Sequence, residues 1–436
     1  MRRGRLVALI LAADLALLAG GGTLVAVHKE PAPAVRPVPN ATTAQAQRTS
    51  DVTALLAKRG NAVLHRNKAD FMATVDRTQN QFASRQSKLF DNLAAVPLQS
   101  WRYFLDATQE DPARPTAMER YGSETWVPQV QLSYAIRGFD ARPSLVPQKL
   151  TFVRRDKAWL IGSDSDFADA GSPSGKGIWD FGPVSVVKGA SSLVLAHPRT
   201  AARLKSLALL ADDAVAHVTA VWGTGWTQRV VLVVPDTQDE LGAIISEGND
   251  LSQIAAVAVA QNALGATQTT EVGDRVIVNP VNFDRLSEIG RRVVLRHEVT
   301  HVASRSVTGA ITPSWLVEGF ADYVGYLGAE IPVPTIAHEL ALDVRAGRIP
   351  TDLPSDGDFL STAQNLAQGY EMSWLACRLI ARTYGQPALV RFYRAVGQSK
   401  QSTEAQAVDE ASRKVLSVAF ATFTQRWRDN VRAELR

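Results

Sequence analysis

The chain has 436 residues, 46% of them apolar and 21% charged, with a formal net charge of +4. That profile excludes a disordered chain, and the length exceeds one ordinary core, so two or three folded regions are expected. No block of Lys and Arg interleaved with aromatics gives a footprint for nucleic acid, and a single cysteine, Cys377, rules out an internal disulfide.

Arg2, Arg3 and Arg5 precede an apolar stretch, 6–27, interrupted by Asp14. That length can cross a bilayer as a helix, and its basic flank would stay in the cytoplasm and send the rest of the chain outside. Residues 1–29 are therefore expected to anchor the chain in the cell membrane as a single pass, with the C-terminal regions extracytoplasmic. The alternative is a cleaved signal peptide and a secreted protein, although no clear small-x-small cleavage site follows the apolar run. Residues 30–50, rich in Pro, Ala, Thr and Gln, read as an extended linker.

From 51 to 166 helices precede strands. Helical spacing of apolar residues covers 54–64 and 68–93. Strand-like runs occupy 100–105, 125–134, 148–153 and 158–163, the last two joined by the turn Arg155-Asp156-Lys157. This order resembles the cone-shaped fold of the nuclear transport factor 2-like superfamily, helices packed on a curved antiparallel sheet. No convergent catalytic set lies in it, so an accessory domain is expected. A Gly-, Ser- and Asp-rich boundary, 167–181, leads to a second domain, 182–436. Its strands are expected at 184–187, 192–196, 229–235 and 275–280 and its helices at 200–219 and 238–245, and it is mostly helical after Ser287. The fold class of the whole is α+β.

The chemistry concentrates in the second domain. In the sequence from Gly290 to Ser304, His297 and His301 stand four residues apart with Glu298 beside the first. On a helix, residues four apart share a face, so the two imidazoles can reach one Zn²⁺ and Glu298 is placed as a general base for water. The apolar flanks Val293, Val294, Leu295, Val299 and Val302 suggest a buried helix, where two histidines and a glutamate would be costly without a partner such as a metal. A second segment begins at Thr312 and Pro313, with Thr312 or Ser314 as helix cap. It places Glu318 one turn into a helix and Asp322 on the same face. A catalytic zinc takes three protein ligands and keeps one open position, and two His with one Glu is a known set. His297, His301 and Glu318 are the expected ligands. Asp322 would accept a hydrogen bond from the free ring nitrogen of one histidine, and Gly319 would let these two helices approach closely.

His297-Glu298-Val299-Thr300-His301 followed by Trp315-Leu316-Val317-Glu318-Gly319-Phe320-Ala321 resembles the gluzincin metallopeptidases, especially the aminopeptidase N-like branch and its small bacterial relatives. The resemblance spans about 182–397, its specific part 291–323. It implies the same three ligands and Glu298 as general base. The spacing from Glu318 to Asp322 is similar to that in thermolysin, whose third ligand is followed by an orienting aspartate. Gluzincins also supply a Tyr or His to the oxyanion. The segment from Ala367 to Gly385 is similar to the helix that does so in the small relatives, which makes Tyr370 the candidate and Tyr323 the runner-up. The resemblance further implies that strand 275–279 is an edge strand pairing with substrate, with Asn279 at the cleft rim; the alternative is an ordinary core strand. No counterpart of the Gly-x-Met-x-Asn exopeptidase loop is found. His338-Glu339 looks like half of a second motif, but Leu342 stands where its partner histidine would fall, so His338 reads as a packing or surface residue.

The expected activity is zinc-dependent hydrolysis of a peptide or protein substrate by activated water, with membrane association through the N-terminal helix and no nucleic-acid partner. The alternatives are a zinc amidase acting on a non-peptide or cell-wall substrate, and a non-catalytic envelope protein with a structural metal.

Overall fold

The structure, a computed structural model, describes residues 43–171, 173–198, 201–245, 254–261, 272–360 and 362–436. The expected anchor, 1–29, lies outside the described residues, and among these no helix is long and apolar enough to cross a membrane. The chain divides into two compact units, one centred on 43–186 and the other on 187–260 with 274–436.

The first unit opens with helices α1 (Thr43–Leu64), α2 (Lys68–Met72) and α3 (Asn80–Asn92). Part of the expected linker, 43–50, is therefore helical. The prolines of that stretch end at Pro39, and Ala44 to Arg48 are helix formers. The helix expected over 68–93 divides in two because Asp76 Oδ1 accepts from Thr78 N at 3.0 Å and Thr78 Oγ1 at 2.7 Å, turning the chain between α2 and α3. Strands β1 (Leu98–Glu110), β2 (Thr125–Trp126), β3 (Pro128–Ile136), β4 (Ser144–Gln148), β5 (Thr151–Arg155) and β6 (Ala158–Ser163) follow, with α4 (Pro115–Tyr121) after β1.

The strands make two three-stranded sheets, ordered β1-β3-β4 and β2-β5-β6, where one curved sheet was expected. Both long strand predictions break at the same level. Trp126 pairs with Phe152, whereas from Pro128, which has no N–H to give, the chain pairs with β1. Val52, Leu56, Phe82, Trp126, Phe152 and Ile161 form the core between helices and strands.

The second unit begins with β7 (Ser185–Lys188), β8 (Ser192–Ala196), α5 (Ala201–Trp222), β9 (Val230–Val234), α6 (Gln238–Ile245), β10 (Ala256–Gln261) and β11 (Val272–Val278). The sheet order is β10-β11-β9-β8-β7. β8 and β11 both run parallel to β9. Every residue of β9 is buried, as a continuous Val-Leu run covered on both faces requires. β11 lies between β10 and β9, so strand 275–279 is not an edge, contrary to expectation. The edge on that side is β10, whose short Ala-Val alternation lacks the bulky residues that mark a strand. Asn279 is also not at a rim. It is 1% exposed and its side chain caps the next helix by accepting from Val281 N.

Helices then dominate: α7 (Pro280–Phe283), α8 (Glu288–Ser304), α9 (Ser314–Tyr326), α10 (Val333–Ile336), α11 (His338–Arg345), α12 (Leu366–Tyr384), α13 (Gln386–Gly397), α14 (Glu404–Ala411) and α15 (Phe420–Leu435). Leu295, Val299, Leu316, Phe320, Leu375, Phe392 and Trp427 fill the space between them. Cys377 is buried there, and that burial holds its thiol well above the usual range.

Candidate metal centre

The site is built on α8 and α9. Ser287 caps α8 by accepting from Gly290 N, and Glu288 sits in the first turn, where negative charge favours the helix dipole. α9 starts differently from expectation. Its N-cap is Pro313 and no side chain within the segment caps it. Ser314 N donates instead to Asp356 Oδ1 at 2.9 Å, from a turn 42 residues downstream. Thr312 Oγ1 is occupied by Gly309 N.

Two glycines on α9 set how closely its neighbours pack. A Cβ on Gly325 would lie 3.0 Å from Val293 O, so this glycine admits α8 at the turn that precedes His297. A Cβ on Gly319 would lie 2.4 Å from Ser373 O of α12. Gly319 therefore serves the approach of α9 to α12, and Gly325 the approach to α8. His217 on α5 donates from Nε2 to Val324 O at 3.0 Å, and Arg296 reaches Asp213 at 3.0 Å, so α5 braces both site helices.

His297, Glu298 and Glu318 have no exposed surface, and His301 is 6% exposed. The ligand atoms of His297, His301 and Glu318 all lie within 4.8 Å of one another, and no other such group of three occurs among the described residues. The Nε2 atoms of the two histidines are 2.9 Å apart. Glu318 Oε2 is 3.2 Å from His297 Nε2, and its Oε1 is 3.5 Å from His301 Nε2. Ligands bonded to one tetrahedral zinc at about 2.0–2.1 Å stand roughly 3.3 Å apart, so the three donors already have the edge lengths of a coordination tetrahedron.

His297 Nδ1 is 2.8 Å from Asp322 Oδ1. A proton on Nδ1, donated to that carboxylate, leaves the Nε2 lone pair facing His301 and Glu318. Two imidazole lone pairs and a carboxylate converging in a buried space need a cation among them, and the donor set therefore fits zinc. Burial pushes the Glu318 carboxyl up, but while the imidazoles carry protons the charge of His301 and the hydrogen bonds of His297 and His301 outweigh it and hold it down at about 2. Glu318 is thus a carboxylate, as a ligand must be.

Glu298 follows His297 on α8 with both carboxylate oxygens shielded from solvent. Tyr370, on α12, is 3% exposed. Its ring lies 6.5 Å from the His297 ring and 5.4 Å, edge-on, from Phe359. Tyr323 is engaged elsewhere, its hydroxyl donating to Gln386 Oε1 at 3.2 Å. His338 starts α11 and belongs to no metal-binding group among the described residues. The sequence reading missed Asp356, Phe359 and Gly325. Only Gly325, a glycine seven residues beyond Glu318 on an apolar helix, had a visible signal. The first unit holds a cavity of about 30 Å³ lined by Arg59, Gln86, Trp101, Trp179 and Asp180 among others, room for one or two waters.

No known family profile matches the chain, and no curated protein matches its sequence. Ten chains of solved structures match it. One is a two-domain M1 zinc metallopeptidase bound to L-tryptophan, at 15% identity and a TM-score of 0.32, covering 57% of this chain and 52% of that one. A second is an M1 zinc metallopeptidase from Deinococcus radiodurans bound to a Tyr-Ser-Ala substrate, at 12% identity and a TM-score of 0.32, covering 58% and 52%. A third is a two-domain M1 zinc metallopeptidase bound to L-arginine, at 11% identity and a TM-score of 0.32, covering 65% and 58%. The chain thus spans between half and three-fifths of the length of these structures.

Proposed function

We propose that the chain is a zinc-dependent peptidase of the gluzincin type, with zinc held by His297, His301 and Glu318. The observation that carries this reading is the convergence of two imidazole nitrogens and a carboxylate at 2.9, 3.2 and 3.5 Å in a buried space. Bound zinc would supply a Lewis acid that polarises the scissile carbonyl and makes water acidic enough to lose a proton near pH 7. The residues do the rest. Asp322 fixes the His297 tautomer that presents Nε2. Glu298 takes the proton of the attacking water and returns it to the leaving amine. Tyr370 donates to the oxyanion that develops on the carbonyl.

A peptide or protein substrate, an accessory role for 51–166, and export with attachment through 1–29 belong to the same reading. Their support is the sequence alone. The test is zinc content against turnover of fluorescein-labelled casein. Wild type should hold about one zinc per chain and cleave. His301→Ala and Glu318→Ala should lose both. Glu298→Gln should keep zinc and lose turnover. Full zinc in the first two variants would overturn the ligand assignment. Zinc with no cleavage in wild type would favour a structural metal.

A further inference from the structure

The residue after Tyr370 is a buried acid. Glu371, 4% exposed, faces the start of α11 from an otherwise apolar stretch of α12. Its Oε1 accepts from Glu339 N at 3.1 Å and its Oε2 from Leu340 N at 2.7 Å. The Glu339 carboxyl lies near enough to raise it further. From α9, Tyr326 and Asp322 face the same space, since both Asp322 and Glu371 raise the Tyr326 phenol. Two neighbouring carboxyls inside a protein repel a second negative charge, so the pair keeps a proton. Burial, then Glu339, push Glu371 up to about 9. A charged residue inside a packed helix costs stability, and an apolar side chain of similar size would pack there without that cost.

We propose that Glu371 is a positioning residue for Tyr370: by gripping the N–H groups of Glu339 and Leu340 in the first turn of α11, it fixes the rotation of α12 and so the direction in which the neighbouring tyrosine points. Successive residues of a helix are about 100° apart, so a grip on one face sets the adjacent face, here the one turned toward His297. Gly319 against Ser373 O fixes the separation of α12 from α9, and Glu371 fixes its rotation. The inference rests on the reading of Tyr370 as the oxyanion donor.

The test uses the zinc-loaded full chain and fluorescein-labelled casein. Glu371→Gln keeps the volume but turns an amide N–H₂ toward one of the two donors. It should lower kcat by about 10²-fold, the cost of a misplacement of ~1 Å, with KM and zinc content unchanged. Tyr370→Phe should lose a similar factor, and the double variant should lose no more than Tyr370→Phe alone. If Glu371→Gln turns over at the wild-type rate while Tyr370→Phe is impaired, the positioning role falls and the donor reading stands. If both turn over normally, the donor reading falls and takes the proposal with it. Losses that multiply in the double variant would show Glu371 acting independently of Tyr370, which also overturns it.

A second arm needs no turnover. The folded pair keeps a proton that the unfolded carboxyls, at about 4.3, release. The folded-to-unfolded ratio should therefore fall by up to tenfold per pH unit between about pH 5 and 9. Glu339→Gln, which removes the second carboxyl, should flatten that slope and also keep kcat level past pH 9. An unchanged slope would mean that no proton is shared, and the proposal would fail.

Discussion

The two units bury acidic groups in opposite ways. In the first, Asp76, 1% exposed, meets Arg155 Nη2 at 2.8 Å, and Asp164 meets Arg85 and Lys176, each at 3.2 Å. Each buried carboxylate has its own permanent cation. In the second, Glu318 has no exposed surface and draws its opposite charge from His297 and His301. An imidazole is neutral at physiological pH unless something holds its proton, so that balance is conditional. The first arrangement completes itself from its own side chains and is a structural device. The second leaves a place for a cation from outside, which makes it the candidate metal centre.

The largest expected effect breaks the second arrangement. His301→Ala or Glu318→Ala should reduce zinc from about one per chain to near none by elemental analysis. A chelator should lower the Tm of wild type but leave the variants unmoved, since a ligand bound only to the folded state stabilises by mass action. The next separates charge from chemistry. Glu298→Gln should retain zinc and fold normally while casein hydrolysis falls by about 10²–10⁴-fold. Hydrolysis at the wild-type rate would remove Glu298 from the mechanism.

A smaller effect tests the close helix approach behind the ligand. Gly319→Ala places a methyl against Ser373 O. It should cost roughly 1–3 kcal/mol by denaturant unfolding; an unaffected variant would mean that the helices shift apart freely. The smallest concerns the first unit. Burial raises Asp76, but its bonds to Thr78 and Arg155 and the Arg155 charge outweigh this and hold it below the usual range. A depressed folded pKa gives stability that is present above the unfolded value, about 3.9, and is lost as pH falls through the folded one. Asp76→Asn should lower Tm at pH 7, and the deficit should shrink as the pH is taken below about 4. A deficit constant with pH would show that the Arg155 pair contributes by shape alone.

The candidate ligand set was legible because its information is local. His297 and His301 are one helical turn apart whatever surrounds them, and Glu318 and Asp322 repeat that spacing on the next helix. The same is true of the buried strand Val230–Val234, whose continuous apolar run needs cover on both faces. The edge strand was not legible. Whether β11 or β10 borders the sheet depends on pairing between distant segments, and 275–279 reads the same in either position. Nor was the split of the first unit's strands, since a proline weakens a strand locally but only the available partners decide where each half goes.

Sequence by itself picked out the candidate donors, the helices that present them and the carboxylate beside them, because covalent spacing and the helical repeat leave those no freedom. Tertiary structure alone decided that Glu318 meets the two imidazoles at 3.2 and 3.5 Å, that Asp322 reaches His297, that Asp356 caps the helix of Glu318, and that Gly319 serves α12 while Gly325 serves α8. Those relations join segments separated by 17 to 54 residues, as between His301 and Glu318 or between Gly319 and Ser373. Packing of the whole core fixes such distances, and no local repeat encodes them.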